Sequence, residues 1–376
     1  MQAKRSRRFV FLGACVLGGA VFGYFGAKLI DGIFLKPEGT GEVLLTLLLL
    51  PLIWLLVVGW HELGHVVGGW MTGGRFLLLA VGPFMVRRTP SGLKMARNRS
   101  VNVGGGLAVC FPLDPALVSP GRCAIMILGG PAASIVLAGL LFGMIGAGAG
   151  GEIAWFHNLL VLGAMLTSMV CLLTIAPFVT GGFKSDGKRA WDLLKPGPHS
   201  DQEAALMSLT SVGLSGVRPA DYEPNLMRRV TALNDGSLFA LYGNITAFYY
   251  HADRGEWKEA QLQLDRVLEG EEMLVPYLRD VARCEYAWLL ATVAEDADTA
   301  RAWLETAGKL DFDPATRLRA EAAVAMANED PDSALQKIAD ARHALENRSL
   351  SPVKNPFAVH ALERLEERLE ARSAGA

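Results

Sequence analysis

The stretch VVGWHELGHVVGGW, residues 57–70, places three ionisable side chains inside an apolar segment. On a helix, His61 and His65 are one turn apart on the same face, where two imidazoles can bind one metal ion. Glu62 lies between them in sequence, near enough to move a proton without being a ligand. Because such residues are costly to insert into a membrane, we expect them to bind zinc. The alternative is polar packing between helices without metal.

Four segments are long and apolar enough to span a bilayer, which takes about 20 residues. The whole chain is 51% hydrophobic and has a mean hydropathy of +0.28, both high for a soluble protein. We expect the first segment to be a membrane span, because it is long for the apolar part of a cleaved signal peptide. The four segments are residues 9–30, 43–70, 123–149 and 153–179.

Charge is distributed unevenly along the chain. Residues 1–200 carry 17 Lys+Arg and 8 Asp+Glu, whereas residues 201–376 carry 19 and 30. The basic residues cluster in the N-terminal tail and in the segments after the second and fourth spans. Cytoplasmic loops are enriched in Lys and Arg, so we predict that both termini are cytoplasmic. We expect a multi-pass protein of a bacterial inner or cell membrane, and no nucleic-acid partner.

A catalytic zinc site usually has three protein ligands, so a third ligand is needed beside the two histidines. Glu152 and His157 lie near the start of the fourth span, about 20 Å from the expected depth of the histidines at 1.5 Å per helical residue. Asp186 follows the fourth span on the cytoplasmic side and matches that depth. The alternative for Asp186 is a solvated loop residue.

The cysteines predict neither a disulfide framework nor a cysteine zinc site. Their number is odd, and no CxxC motif occurs. We expect all of them to be small apolar residues that pack in the interior. They are Cys15, Cys110, Cys123, Cys171 and Cys284.

Three motifs, taken in order, resemble those of the site-2 protease family of intramembrane zinc metalloproteases. HELGH at 61–65 is similar to the zinc motif of the family. GGPAASI at 129–135 resembles its Gly-Pro-x-x-Asn element. TIAPFVTGGFKSDG at 174–187 resembles its Asn-x-x-Pro…Asp-Gly motif. The resemblance covers residues 43–195, about half of the chain.

The resemblance implies that one zinc ion is bound by His61, His65 and Asp186, with Glu62 as the general base. Ser134 and the threonine at 174 stand where the family often has asparagine, although hydroxyl groups also donate and accept hydrogen bonds. The spacing between the proline at 177 and Asp186 is longer than in the most familiar members. The residues implied in substrate handling are Gly130, Pro131, Ser134 and Thr174.

A small β-element is predicted between the second and third spans. Residues 75–88 and 93–103 read as two strands joined by a turn at 89–92. In the family, a β-element at this place lies beside the active site. An exposed strand edge could pair with an unwound substrate segment. The alternative is an ordinary cytoplasmic hairpin.

Residues 201–376 read as helices that resemble tetratricopeptide repeats. Trp257, Ala260 and Leu264 occupy positions that such repeats use for close helix packing. The pattern recurs around Ala300 and Ala334, and their spacing of 34 residues equals the repeat length. A helix over 356–372 would cap the stack. Such solenoids usually bind a protein or peptide, and the alternative is a bundle that only stabilises the enzyme.

We therefore expect a mainly α protein with a polytopic helical membrane domain and a soluble α-solenoid. The expected divisions are an N-terminal transmembrane helix and outer loop (1–42), a zinc metalloprotease core (43–195) and a cytoplasmic helical domain (196–376). The expected function is hydrolysis of a peptide bond within or beside a transmembrane segment of a membrane-protein substrate. One alternative is a catalytically inactive membrane scaffold that binds partners through the helical repeats. Another is a zinc hydrolase acting on a small or lipid-borne substrate.

Overall fold

Three long apolar helices lie in the first half of the chain: α1 (Thr40–Met71), α2 (Pro120–Gly146) and α3 (Ala154–Ile175). Each is long and apolar enough to cross a membrane, so three of the four predicted segments are confirmed as long apolar helices. The span predicted over residues 9–30 lies outside the described residues. The computed structural model describes residues 33–89, 92–98, 105–151, 153–180, 183–310, 313–347 and 355–375.

A four-stranded antiparallel sheet connects α1 with α2 and confirms the predicted β-element. Its strands are β1 (Arg75–Val81), β2 (Phe84–Thr89), β3 (Gly92–Arg97) and β4 (Gly106–Phe111), in the spatial order β3-β2-β1-β4. The segment 75–88, predicted as one strand, is a hairpin of two strands, because the chain turns at Gly82, whose φ of 54° suits glycine.

Short elements follow α3 and lead into the C-terminal helices. Strands β5 (Val179–Thr180) and β6 (Phe183–Lys184) pair as a small antiparallel hairpin. Helix α4 (Asp186–Leu194) begins directly after it, and Ser185 caps the helix by accepting a hydrogen bond from the Lys188 backbone amide. Serine favours this position because its hydroxyl satisfies an amide that has no partner within the helix.

The C-terminal half is helical. Six of its helices begin with proline, whose fixed φ suits the first helical turn. A π-helical segment, Leu290–Ala294, continues one of them. The helices are α5 (Pro198–Leu214), α6 (Pro224–Val230), α7 (Leu238–Asp253), α8 (Trp257–Glu269), α9 (Pro276–Leu289), α10 (Ala297–Thr306), α11 (Pro314–Ala327), α12 (Pro331–Asn347) and α13 (Pro356–Gly375).

Most of the residues that predicted the repeats are buried between these helices, and Trp257 is partly buried. They lie on α8, on α10 or directly after it, and on α12, and each of these helices contacts the helix that precedes it. Helix α13 covers the segment predicted to cap the stack and contacts α11 and α12. The buried repeat residues are Ala260, Leu264, Ala300, Leu304, Ala307, Ala334, Ile338 and Ala341.

The described residues form two compact units. One comprises residues 33–57 and 135–169, and the other comprises 58–134 and 170–375. The second unit joins residues on both sides of the domain limit predicted at 195, because α4 and α5 pack against each other. The metal-site motifs and the C-terminal helices therefore belong to the same unit.

The cysteines are free and buried where the structure describes them. Cys284 lies in the core of the C-terminal helices, and burial raises the pKa of its thiol to about 12. Cys15 lies outside the described residues. The described cysteines thus have the packing role that the sequence predicted.

A buried ion pair links four of the C-terminal helices. Glu285 on α9 accepts hydrogen bonds of 2.5 and 2.6 Å from Arg319 on α11, and both side chains are almost fully buried. Tyr249 on α7 donates to the same carboxylate at 3.0 Å. The guanidinium group stacks over the rings of Trp288 and Phe357. Removing one partner would leave the other charge buried without compensation.

We predict that Glu285→Gln lowers the free energy of unfolding by about 3–5 kcal/mol, because the Arg319 charge remains buried without its counter-ion. Denaturant unfolding of the full chain in detergent micelles measures the change. The matched control is Glu366→Gln, which removes a partly exposed pair with Arg342 and should cost less than about 1 kcal/mol. Equal losses in the two variants would contradict the prediction.

Candidate metal centre

Three potential metal ligands converge at the C-terminal part of α1 and the start of α4. The Asp186 Oδ2 atom lies 3.2 Å from His61 Nε2 and 3.5 Å from His65 Nε2. The three ligand atoms all lie within 4.8 Å of one another. Two imidazole nitrogens and one carboxylate oxygen form a donor set of the kind that catalytic zinc sites use.

Helix α2 holds both imidazole rings by their other nitrogen atoms. His61 Nδ1 lies 2.9 Å from Ser134 Oγ, and His65 Nδ1 lies 3.2 Å from the carbonyl oxygen of Met126. A carbonyl oxygen can only accept, so Nδ1 of His65 donates, and Nε2, which faces Asp186, is the atom that could bind a metal ion. Such partners of the remote nitrogen orient metal-binding histidines.

Glycines allow α1 and α2 to approach closely at this level. A Cβ atom on Gly64 would collide with the backbone of Gly129, and one on Gly129 would collide with Gly64. A Cβ atom on Gly130 would collide with Nε2 of His65 and lie 2.7 Å from Nε2 of His61. Small residues let helix backbones come together in a membrane, and here they also leave space for the ligand atoms.

Two contacts hold Asp186, the first residue of α4, against the end of α3. The Ser185 hydroxyl donates to the carbonyl of Ala176 at 2.6 Å. A Cβ atom on Gly187 would collide with the carbonyl of Ile175, so only glycine allows this approach. The Asp-Gly sequence therefore brings the carboxylate to the histidines by close backbone packing.

The charge state of Asp186 is set by two opposing effects. Burial disfavours its carboxylate, but hydrogen bonds from His61 and His65 outweigh burial and lower its pKa to about 2. Asp186 is therefore ionised at neutral pH, which is the form that binds a metal ion.

Glu62 lies beside the ligands but faces the sheet. Its side chain packs against Gly106, where a Cβ atom would lie 2.6 Å from Oε1 of the glutamate. The backbone amide of Ala108 donates a hydrogen bond to its carboxylate. Both residues belong to β4, one of the two edge strands of the sheet. Glu62 thus lies beside the three candidate ligands and is not one of the group that could hold a metal ion.

The structure brings some of the predicted substrate-handling residues to the histidines. Ser134 and Gly130 lie against the imidazole rings. Pro131 is buried in α2, next to Gly130. Thr174 donates to the carbonyl of Cys171 in its own helix, and among the described hydrogen bonds none joins it to a ligand.

The sequence ruled out His157 and Glu152 as ligands because of their expected depth, and the structure describes His157. His157 Nε2 lies 2.9 Å from the carbonyl oxygen of Ile33, in the unit that does not contain the convergent ligands. Glu152 lies outside the described residues. The structure therefore groups Asp186, and not His157, with the two histidines.

Several groups that position the side chains of the site were not predicted from the sequence. Ser185 carried a signal, since a serine before Asp-Gly and a helical pattern favours an N-cap. The Met126 carbonyl and the Ala108 amide carried no signal, because every residue type apart from proline has both groups. Such backbone contacts become visible only once the fold is known.

We predict that Gly130→Ala abolishes high-affinity zinc binding, because the added methyl group would occupy the space of the two Nε2 atoms. Zinc content of the purified full chain, measured by elemental analysis, tests this. The matched control is Gly139→Ala on the same helix, where among the described residues nothing lies within 4 Å of the new Cβ atom. A full zinc load in Gly130→Ala would contradict the expected geometry.

Three comparisons, with protein-family models, with curated proteins and with solved structures, find no match for this chain. Similarity to known proteins therefore assigns it neither a family nor a function. The geometry of His61, Glu62, His65 and Asp186 carries the functional assignment.

Proposed function

We propose that the protein is an intramembrane zinc metalloendopeptidase of the site-2 protease type. It hydrolyses a peptide bond within or beside a transmembrane segment of a membrane-protein substrate, as in regulated intramembrane proteolysis. The observation that carries the proposal is the convergence of Asp186 with His61 and His65, next to Glu62. The two histidines and Glu62 lie on a helix that is apolar enough to span a membrane.

One zinc ion would be held by His61 Nε2, His65 Nε2 and a carboxylate oxygen of Asp186. When bound, zinc supplies Lewis-acid chemistry, because it polarises a carbonyl group and makes water more acidic. Glu62 takes a proton from the attacking water and donates it to the leaving amine. The amide of Ala108 supports this role because it orients the carboxylate.

The edge of β4 is the proposed docking site for the substrate backbone. β4 pairs with β1 along one side, and its Gly106–Ala108 segment lies against Glu62. A peptide bond inside a helix is protected by its hydrogen bonds, so the substrate must be extended before it is cut. Pairing with a strand edge holds a peptide in that conformation.

The proposed topology has four spans with both termini in the cytoplasm of a bacterial cell. The three described apolar helices and the predicted segment over 9–30 supply the spans. Basic residues between α1 and α2 and after α3 support a cytoplasmic location for the sheet and for α4. The metal site then lies near the cytoplasmic surface, where water can reach it through a polar cavity.

The C-terminal helices are proposed to form a tetratricopeptide-like solenoid that binds a protein or peptide. The successive contacts of α7 with α8, α9 with α10 and α11 with α12 support this organisation. Stacked helix pairs of this kind often present a concave binding surface. A partner bound there would recruit a substrate or regulate cleavage.

Two other functions are less well supported. A catalytically inactive scaffold would not require a buried Glu62 beside an intact set of ligands. A hydrolase acting on a small or lipid-borne substrate would have no use for a strand edge beside Glu62. These observations favour an endopeptidase.

We predict that Glu62→Gln retains zinc but slows cleavage by about 10²–10⁴-fold, because it removes the general base and acid. Asp186→Ala should lose both zinc and cleavage. A membrane protein retained by Glu62→Gln in a pull-down supplies the substrate for the assay. Glu259→Gln, an exposed substitution on α8, is the control. Cleavage by Glu62→Gln at the wild-type rate would refute the mechanism.

We also predict that Ala108→Pro slows cleavage at least about tenfold without loss of zinc, because the hydrogen bond to the Glu62 carboxylate disappears. An edge strand tolerates proline where its amide does not face the neighbouring strand. Leu107→Ala keeps the backbone amide and serves as the control. If both variants cleave at the same rate, the amide has no role in the reaction.

A further inference from the structure

A fully buried carboxylate lies between α4 and the C-terminal helices. It belongs to Glu203 on α5, whose side chain has no exposed surface. Lys184 Nζ lies 3.4 Å from its Oε2, and Arg189 Nε donates to its Oε1 at 3.1 Å. A buried glutamate is rarely found without paired charges, so this one is held by specific contacts.

The two cations that contact Glu203 flank Asp186 in sequence. Lys184 ends β6 and precedes Asp186 by two residues, whereas Arg189 lies on α4 and follows it by three. The Glu203 carboxylate therefore contacts residues on both sides of Asp186 in the chain.

Neighbouring groups hold the two cations in place. Asp192 on α4 pairs with Lys184 at 2.8 Å and also with Lys188. Phe239 on α7 lies under both cations of the Glu203 contact, with Lys184 Nζ 4.7 Å and the Arg189 guanidinium carbon 5.6 Å from the centre of its ring. Helices α5 and α7 thus both contribute to holding α4.

The small net stability of buried ion pairs favours a positioning role for Glu203 and the two cations that contact it. Desolvation of buried charges offsets most of their attraction, so a buried ion pair adds little net stability compared with apolar residues. Its charges do require one specific arrangement of the groups around them. The contacts of Ser185 and Gly187 fix where α4 begins, and the Glu203 contacts fix the direction in which it leaves.

We propose that Glu203 is a positioning residue of the metal centre. Through Lys184 and Arg189 it fixes the orientation of α4, so that Asp186 reaches His61 and His65. The inference rests on the proposed zinc site and extends its support into the C-terminal helices. Those helices then contribute to metal binding, in addition to any partner that they bind.

Glu203→Gln in the full chain tests this role, because it keeps the side-chain volume and removes the charge. We expect zinc affinity, measured by competition with a chromophoric chelator, to weaken about tenfold, the lower end of the effect of indirect supports. We also expect the visible absorption bands of the Co²⁺-substituted protein to shift, because these bands report ligand geometry. Unfolding temperatures of the zinc-free proteins measure any general loss of stability.

The matched control is Asp201→Asn on the same helix. Asp201 pairs with Arg229 at the surface, and its side chain is 53% exposed. This variant should keep wild-type zinc affinity and Co²⁺ bands. Wild-type values in Glu203→Gln as well would overturn the inference and leave the proposed function standing. A wild-type protein that binds no zinc would overturn both.

If Glu203→Gln does not fold, Arg189→Gln takes its place. The Arg189 side chain is one-third exposed, so its removal leaves less buried charge without a partner. We expect zinc affinity to fall several-fold and the Co²⁺ bands to shift in the same direction. Unchanged affinity and bands in this folded variant would overturn the inference.

Discussion

The central constraint on this structure is the need to satisfy ionisable side chains inside an apolar helix. The imidazoles of His61 and His65 are largely buried, so each needs a polar partner at both nitrogens. Helix α2 supplies Ser134 Oγ and the Met126 carbonyl at Nδ1, which directs both Nε2 atoms toward Asp186. Close approach of α1 and α2 is therefore a condition for the convergence of His61, His65 and Asp186 and not only a packing preference.

The proposed metal centre is also held by contacts from outside the apolar helices. Strand β4 contacts Glu62, and α4 carries Asp186. Helix α5 contacts α4 and the residue that follows β4. Glu203 binds Lys184 and Arg189, which flank Asp186, and Ser211 donates to the carbonyl of Pro112, just after β4. A displacement of α5 would thus act on the proposed base and on the third ligand together.

The sequence predicted those features that depend on local spacing. His61 and His65 are one turn apart on any helix, and the repeat residues around Ala260 recur at intervals typical of helix pairs. The hairpin at Gly82 was missed because a long apolar run conceals a turn within it. Glu203 was also missed, since the need for a buried carboxylate at that position arises only from contacts between distant parts of the chain. Contacts between distant parts of the chain and hydrogen bonds to backbone groups cannot be predicted from a single sequence.

The hairpin between α3 and α4 explains how a long connection can carry a well-placed ligand. The Ser185 amide donates to the carbonyl of Phe178 at 3.0 Å, which closes the base of this excursion. Residues 179–184 therefore lengthen the chain between Phe178 and Ser185 without separating these two residues in space. Asp186 consequently lies close to the end of α3. In this chain the motif spacing is better counted across that hydrogen bond than along the sequence. Loops of different lengths could then hold an aspartate at the same point.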